Sequence, residues 1–293
     1  MTAYTSKFGL TKPAASDAVD ISVLNGNFDD IDSALYNIES YSANQRSIGR
    51  SITAIPEIAT ERASYSSVAA FLKARADARN YAGLSVGDYV DITVSSSTLR
   101  YRIAGFDHYY NCGDTAHKGG ITMIPDGGWP TNVQWNTTNN NNGTAEQEHP
   151  YLASHAYDYL INTLLPLFPT DWKNVMQDQR RWLEKRYAAG QTLTASTGAA
   201  WTSIGKLWLP SEMEVYGTVV WGTPGYTVGI DRKFPLFDTC YANTLSRTYR
   251  WLRAVHGSNS TYVCIVHGYG IAGYGDASYT SVQLWPCFTV GSD

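Results

Sequence analysis

Three groups of side chains in this sequence could do chemistry, and each points to a different kind. Gly268-Tyr269-Gly270-Ile271-Ala272-Gly273 has the G-x-G-x-x-G spacing of a turn that cradles phosphate. A dinucleotide site needs that turn to open a helix after a parallel strand. Tyr274 to Ser278 reads as turn-like instead, so no nucleotide cofactor is expected. His108, Cys112 and His117 are metal-ligand types, but their spacing fits no zinc pattern and a fourth ligand would have to come from elsewhere. Structural roles around a loop are expected for them, and no metal. Glu212 and Glu214 stand two apart, and a helix-start or backbone-bonding role is enough for Glu212. His149 and His155 flank a helix start, where surface or capping roles suffice. No H-E-x-x-H or P-loop motif occurs, and no catalytic residue is assigned.

The fourth candidate is a binding surface. Ala254 to Val282 spaces His256, Tyr262, His267, Tyr269, Tyr274 and Tyr279 among Gly, Ser, Thr and single aliphatics. Lys, Glu, Gln, Trp and Met are absent from it, although they make up about an eighth of the chain. Tyrosine supplies rigid amphipathic contact area, and Ser, Gly and Asn supply adaptable hydrogen bonds, as in antibody-like surfaces. A plain Tyr/Gly-rich β-hairpin has the same composition, so both readings stay open at this level.

The elements that must position these residues follow from periodicity. Leu24, Phe28, Ile31, Leu35 and Ile38 repeat with 4-3-4-3 spacing, an a/d seam of about two heptads. It fits an oligomerising helix or a single amphipathic helix packed on its own domain. The polar run Ser42 to Ser51 that follows favours the first. Ser66 to Asn80 reads as a helix capped by Ser66 or Ser67. Gly87–Val94 and Leu99–Phe106 alternate as two strands around a serine turn, Ile121–Asp126 is a more buried strand, and Trp135–Thr144 is an Asn-rich loop. Tyr151–Leu165 is helical, Trp172–Tyr187 is another helix or an irregular helical stretch, and Lys206–Val215 is a strand running into a short helix. Tyr249–Arg253, Tyr262–His267 and Ser281–Val290 are short strands. Few helices, many short strands and long loops predict an α+β fold with a small twisted antiparallel sheet. The expected organisation is an N-terminal segment over 1–60 and one large domain over 61–293.

Composition narrows the partners. Of 293 residues only 16% are charged and 43% are hydrophobic, leaving a polar but uncharged surface of the kind common on extracellular or particle-borne proteins. A net charge of -4 exerts no long-range pull on phosphate, and no basic cluster exceeds Gln179-Arg180-Arg181, so nucleic acid is not an expected partner. No window approaches the roughly 18 apolar residues of a membrane span, and the N-terminus lacks the pattern of a secretory signal. Four scattered cysteines (Cys112, Cys240, Cys264, Cys287) do not make a disulfide scaffold, and buried free thiols are expected, although Cys264 and Cys287 could face each other in a sheet.

Leu10-Thr11-Lys12-Pro13 with Asp20-Ile21-Ser22-Val23-Leu24-Asn25-Gly26-Asn27-Phe28-Asp29-Asp30-Ile31-Asp32 resembles the N-terminal segment of many bacteriophage tail and fibre proteins. A second set of motifs looks like those of C-type-lectin-fold domains in phage and gut-bacterial proteins. These are Gly87-Asp88-Tyr89-Val90, Tyr101 to Asp107, Tyr109 to Asp114, Met123-Ile124-Pro125-Asp126, Leu209 to Gly217 and Trp251-Leu252-Arg253. The tail, Val263 to Ala272 followed by Ala277-Ser278, is similar to the variable region of diversity-generating retroelement proteins. In that family a fixed frame holds positions rewritten by adenine-directed mutagenesis. The resemblance implies a frame of Cys264, Val266, Gly270, Ala272, Ala277 and Ser278. It implies changeable positions at Ile265, His267, Gly268, Tyr269, Ile271, Gly273, Tyr274, Gly275, Asp276 and Tyr279, all reachable from an AAC codon. Codons ending in C cannot encode the five missing residue types. Val263 departs from the usual Phe, and Gln283-Leu284-Trp285-Pro286 departs from the usual run after the frame.

The resemblances together imply a C-type-lectin-like, non-enzymatic, virion-borne tail receptor-binding protein, made in the bacterial cytoplasm without a signal peptide. It would be a homotrimer attached to other tail proteins by its N-terminus. Its binding surface would be His256, Ser258, Ser260, Tyr262, Ile265, His267, Tyr269, Ile271, Tyr274, Asp276 and Tyr279, directed at a host cell-surface protein or glycan. Two alternatives stand beside it. One is an invariant tail or baseplate component. The other is an enzyme of the formylglycine-generating type, whose active-site cysteine pair cannot be placed here. The Glu-Pro-Asn loop of calcium-dependent sugar lectins is also missing.

Overall fold

The computed structural model describes residues 3–4, 11–12, 22, 25–32, 49–190, 192–226, 231–239 and 248–293. The chain divides into two compact units, Met1–Ser47 and Ile48–Asp293. In the first, β1 (Ala3–Tyr4) pairs antiparallel with β2 (Thr11–Lys12), and residues 25–32 are helical. Phe28 and Ile31 of the a/d seam are 66% and 41% exposed. Leu24, Leu35 and Ile38 lie outside the described residues.

The second unit begins a dozen residues before the boundary expected from sequence. Ile52, Ile55 and Ile58 are core residues, Ser51 bridges to Tyr89, and the Arg50 guanidinium donates to buried Asp88 at 3.1 Å. Ser67 accepts a hydrogen bond from the Ala70 amide and starts the helix Val68–Asp77, which buries Phe71, Leu72 and Ala76.

A four-stranded antiparallel sheet is built from Tyr89–Val94 (β3), Ser97–Phe106 (β4), Ile121–Pro125 (β5) and Phe288–Val290 (β11), in the order β11-β5-β4-β3. β3 (Tyr89–Val94) alternates buried and open positions and turns through Ser95-Ser96 into β4 (Ser97–Phe106). Ser95 takes the left-handed φ of +55° that so tight a turn requires. β5 (Ile121–Pro125) is buried at every position, between β4 and β11 (Phe288–Val290). Tyr101, Phe168, Trp172 and Phe288 fill the space beside this sheet with edge-on and tilted ring contacts.

A helical stretch from His155 to Leu167 buries Ala156, Leu160 and Leu164, and includes a π-turn at Tyr159–Leu164. The stretch expected to be helical over Trp172–Tyr187 is not. After one helical turn at Thr170–Lys173 it becomes β6 (Gln179–Lys185), paired with β7 (Gly198–Gly205). Burial of Gln179, Arg181 and Leu183 has the period of two that a strand imposes. A third sheet has the order β10-β9-β8, from β8 (Arg250–Val255), β9 (Tyr262–Val266) and β10 (Ala272–Asp276). β10 replaces the turn expected at Tyr274–Asp276. The unit is α+β with small antiparallel sheets. Among the described residues no helix is long and apolar enough to cross a membrane.

Candidate functional site

The G-x-G-x-x-G stretch joins β9 to β10 and opens no helix. Its turn is closed by Gly270 N–H donating to His267 O at 2.7 Å and His267 N–H to Ile271 O at 2.9 Å. Gly270 is buried and holds φ +84°, a conformation that favours glycine. In the turn, His267 Nδ1 accepts the Tyr269 amide at 3.3 Å, so its Nε2 carries the proton and donates to Tyr249 Oη at 3.2 Å. His256 does the same in its own turn, accepting the Ser258 amide at 3.2 Å. Burial and the Arg186 charge both lower the pKa of His256, which favours its neutral form.

His256, Tyr262 and Tyr274 form one cluster of rings, and His267 and Tyr269 join Tyr249 in a second. Tyr274 contacts Tyr262 at 4.7 Å and His256 at 5.1 Å between centroids, and His256 contacts Tyr262 at 5.9 Å. His267 contacts Tyr249 at 4.7 Å and Tyr269 at 5.0 Å. Tyr269 is 77% and Ile271 60% exposed; Tyr274, Tyr279 and Ser258 are also exposed, and His256, Ser260, Tyr262, His267 and Asp276 are half-buried. Ile265 is the correction. It is only 2% exposed, because on β9 it points to the opposite face from Tyr262, and it lies over Gly273 and Gly275. It belongs to the core and cannot touch a ligand. Of the frame positions, Cys264, Val266, Gly270 and Ala277 are buried, whereas Ala272 and Ser278 are half-buried.

Buried polar groups hold this surface from below. Arg186, with no exposed surface, donates from Nη1 to His256 O at 2.7 Å and from Nη2 to Thr223 Oγ1 at 3.3 Å and Glu184 Oε2 at 3.4 Å. The Asn-rich loop does similar work. Asn141 Nδ2 donates to Asn259 O at 2.7 Å and Tyr262 O at 2.5 Å, and Asn139 Nδ2 to Asp276 Oδ1 at 2.9 Å. One helical turn, Glu212–Tyr216, carries two carboxylates with different tasks. Ser211 and Glu214 form a capping box at its start. Glu214 then binds Arg253 through both oxygens, at 2.5 and 3.0 Å, and accepts from Tyr109 Oη at 2.5 Å. Burial pushes the Glu214 carboxyl up, but the Arg253 guanidinium outweighs it and holds it below the ordinary range. Glu212 instead accepts the backbone N–H groups of Val220, Trp221 and Gly222 at 3.1, 3.0 and 2.8 Å. Burial keeps its carboxyl above the ordinary range despite these donors.

Sequence reading missed two members of the surface, Trp221 and Tyr249. The signal for the first was Val219-Val220-Trp221, an apolar run in a Gly/Thr/Pro-rich loop where no helix or strand would bury it. Cys264 in β9 and Cys287 just before β11 are both free and buried. Burial raises both thiols, and Cys264 also bonds the Glu212 carboxylate. His108 Nε2 bonds Arg232 O at 3.0 Å, and burial lowers its pKa to about 4. Among the described residues no group of three or more His, Cys, Asp or Glu is placed to hold a metal. A shallow cleft open to solvent lies beside Glu212, with Trp182, Glu184, Thr223, Tyr226 and Arg253 in its lining. No protein-family model, curated protein or solved structure matches the chain.

Proposed function

We propose that the chain is a receptor-binding protein of a phage or prophage tail, whose second unit has a C-type-lectin-type fold and presents a changeable binding face. The N-terminal helix would assemble copies, a homotrimer by the resemblance, so that weak single-site contacts add through avidity. The function is binding and not chemistry. One observation carries the reading: along Val263–Tyr279, side chains at Tyr269, Ile271, Tyr274 and Tyr279 stand in water while Cys264, Val266 and Ala277 are fully buried. Exposed side chains on a packed frame can be exchanged with little cost to folding. A surface mixing tyrosines with Ile271, with Asp276 as its one carboxylate among those positions, suits a protein face on the host cell.

The test is the neighbouring DNA. A reverse-transcriptase gene and a near-repeat of the Ala254–Val282 coding region are expected, with adenine-site differences between the two copies. Absence of both, together with invariant Tyr269, Tyr274 and Tyr279 across natural isolates, would leave an invariant tail component as the better account.

A further inference from the structure

We infer that Trp221 is a permanent contact residue of the binding face, fixed in place by Glu212, around which the changeable side chains are arranged. The inference rests on the changeable-face reading above. Trp221 lies 33 positions before Ala254, outside the Tyr/His segment, yet its ring is part of the same cluster. It meets Tyr274 at 4.8 Å edge-on and stacks beside His256 at 5.8 Å, and its Nε1 donates to Ala272 O at 3.3 Å. It remains 37% exposed, so a partner can still reach it.

Its position is set from two sides. Glu212 takes the amides of Val220, Trp221 and Gly222 on one carboxylate, which fixes the backbone that carries the ring. Gly257 N–H donates to Trp221 O at 2.8 Å, and a Cβ at Gly257 would come within 2.7 Å of Gly222 O. The two loops therefore touch backbone to backbone, so the main chain that carries the ring is placed without any changeable side chain, and Nε1 bonds a main-chain oxygen. Tryptophan leads the residues that dominate protein interfaces, and Ala254–Val282 contains none. The fixed loop supplies the indole that the segment lacks. A protein partner would cover the exposed edge of Trp221 whichever side chains surround it.

The experiment uses the full chain, displayed as a library varied at His256, Tyr262, Tyr269, Ile271, Tyr274 and Tyr279 and selected against immobilised streptavidin. Trp221→Ala is then placed in each independent binder. Expected is a loss of about tenfold or more in affinity in most binders, while alanine at any one varied position weakens only some of them. Should Trp221→Ala melt early, Trp221→Phe carries the test, with an expected loss of about threefold and an unchanged melting temperature. Glu212→Gln should speed deuterium exchange at the 220–222 amides and lower affinity in the same binders that Trp221→Ala weakens. Binders that keep their affinity within about twofold under both Trp221 variants would overturn the inference and leave the changeable face standing. A library that yields no binders would overturn the face itself.

Discussion

β5 and β10 are strands of equal length in antiparallel sheets, and water treats them oppositely. β5 reads Ile121-Thr122-Met123-Ile124-Pro125, is flanked on both edges and buried at every position. β10 reads Ala272-Gly273-Tyr274-Gly275-Asp276, sits at the edge of its sheet and leaves Tyr274 exposed. The first must satisfy packing on both faces, so nearly every atom is constrained. The second has its register fixed by β9, by the Gly270 turn and by Asn139, so its outward side chains carry little of the folding energy. The difference teaches that, in this unit, backbone position and side-chain identity are held by separate sets of residues.

Four substitutions can break or sharpen that contrast. Glu214→Ala leaves Arg253 with Asp231 as its one carboxylate partner and takes the acceptor from buried Tyr109, and should cost about 3–5 kcal/mol in urea unfolding, or abolish soluble protein. Ile265→Ala lies in the tyrosine segment but should behave as a core change, losing about 2–4 kcal/mol in the same assay. A loss below about 0.5 kcal/mol would return Ile265 to the surface set. Gly270→Ala places a side chain at φ +84° and should cost about 1–2 kcal/mol, read as a lower thermal midpoint. Tyr269→Ala should change stability by less than about 0.5 kcal/mol, and a larger loss would show that the outward ring supports the turn.

The helix Val68–Asp77, the β3–β4 hairpin and the buried β5 were legible because cap, alternation and apolar run each belong to one short stretch of sequence. β6 was not, since Arg180, Arg181, Glu184 and Lys185 have no strand preference, and only pairing with β7 gives them their period. β10 was hidden by Gly273 and Gly275, which read as turn residues. Most of the candidate surface was legible from composition. Ile265 was misplaced because adjacent strand residues face opposite sides, which composition cannot register. Trp221 was missed because its membership depends on Glu212, nine positions away, holding an irregular loop against a distant hairpin.

Gly273 and Gly275 lie on the face where Ile265 and Tyr279 meet the sheet. A Cβ at Gly275 would come within 3.1 Å of the Tyr279 ring, and one at Gly273 within 3.4 Å of Ile265. Tyr279 therefore rests in a hollow left by a missing methyl group. Any larger residue at Gly275 lifts that ring on the side of the hairpin opposite Tyr262 and Tyr274. These two positions thus govern contour and not chemistry. Side chains at these two positions would change the contour on that side of β10 while its pairing with β9 stays in register.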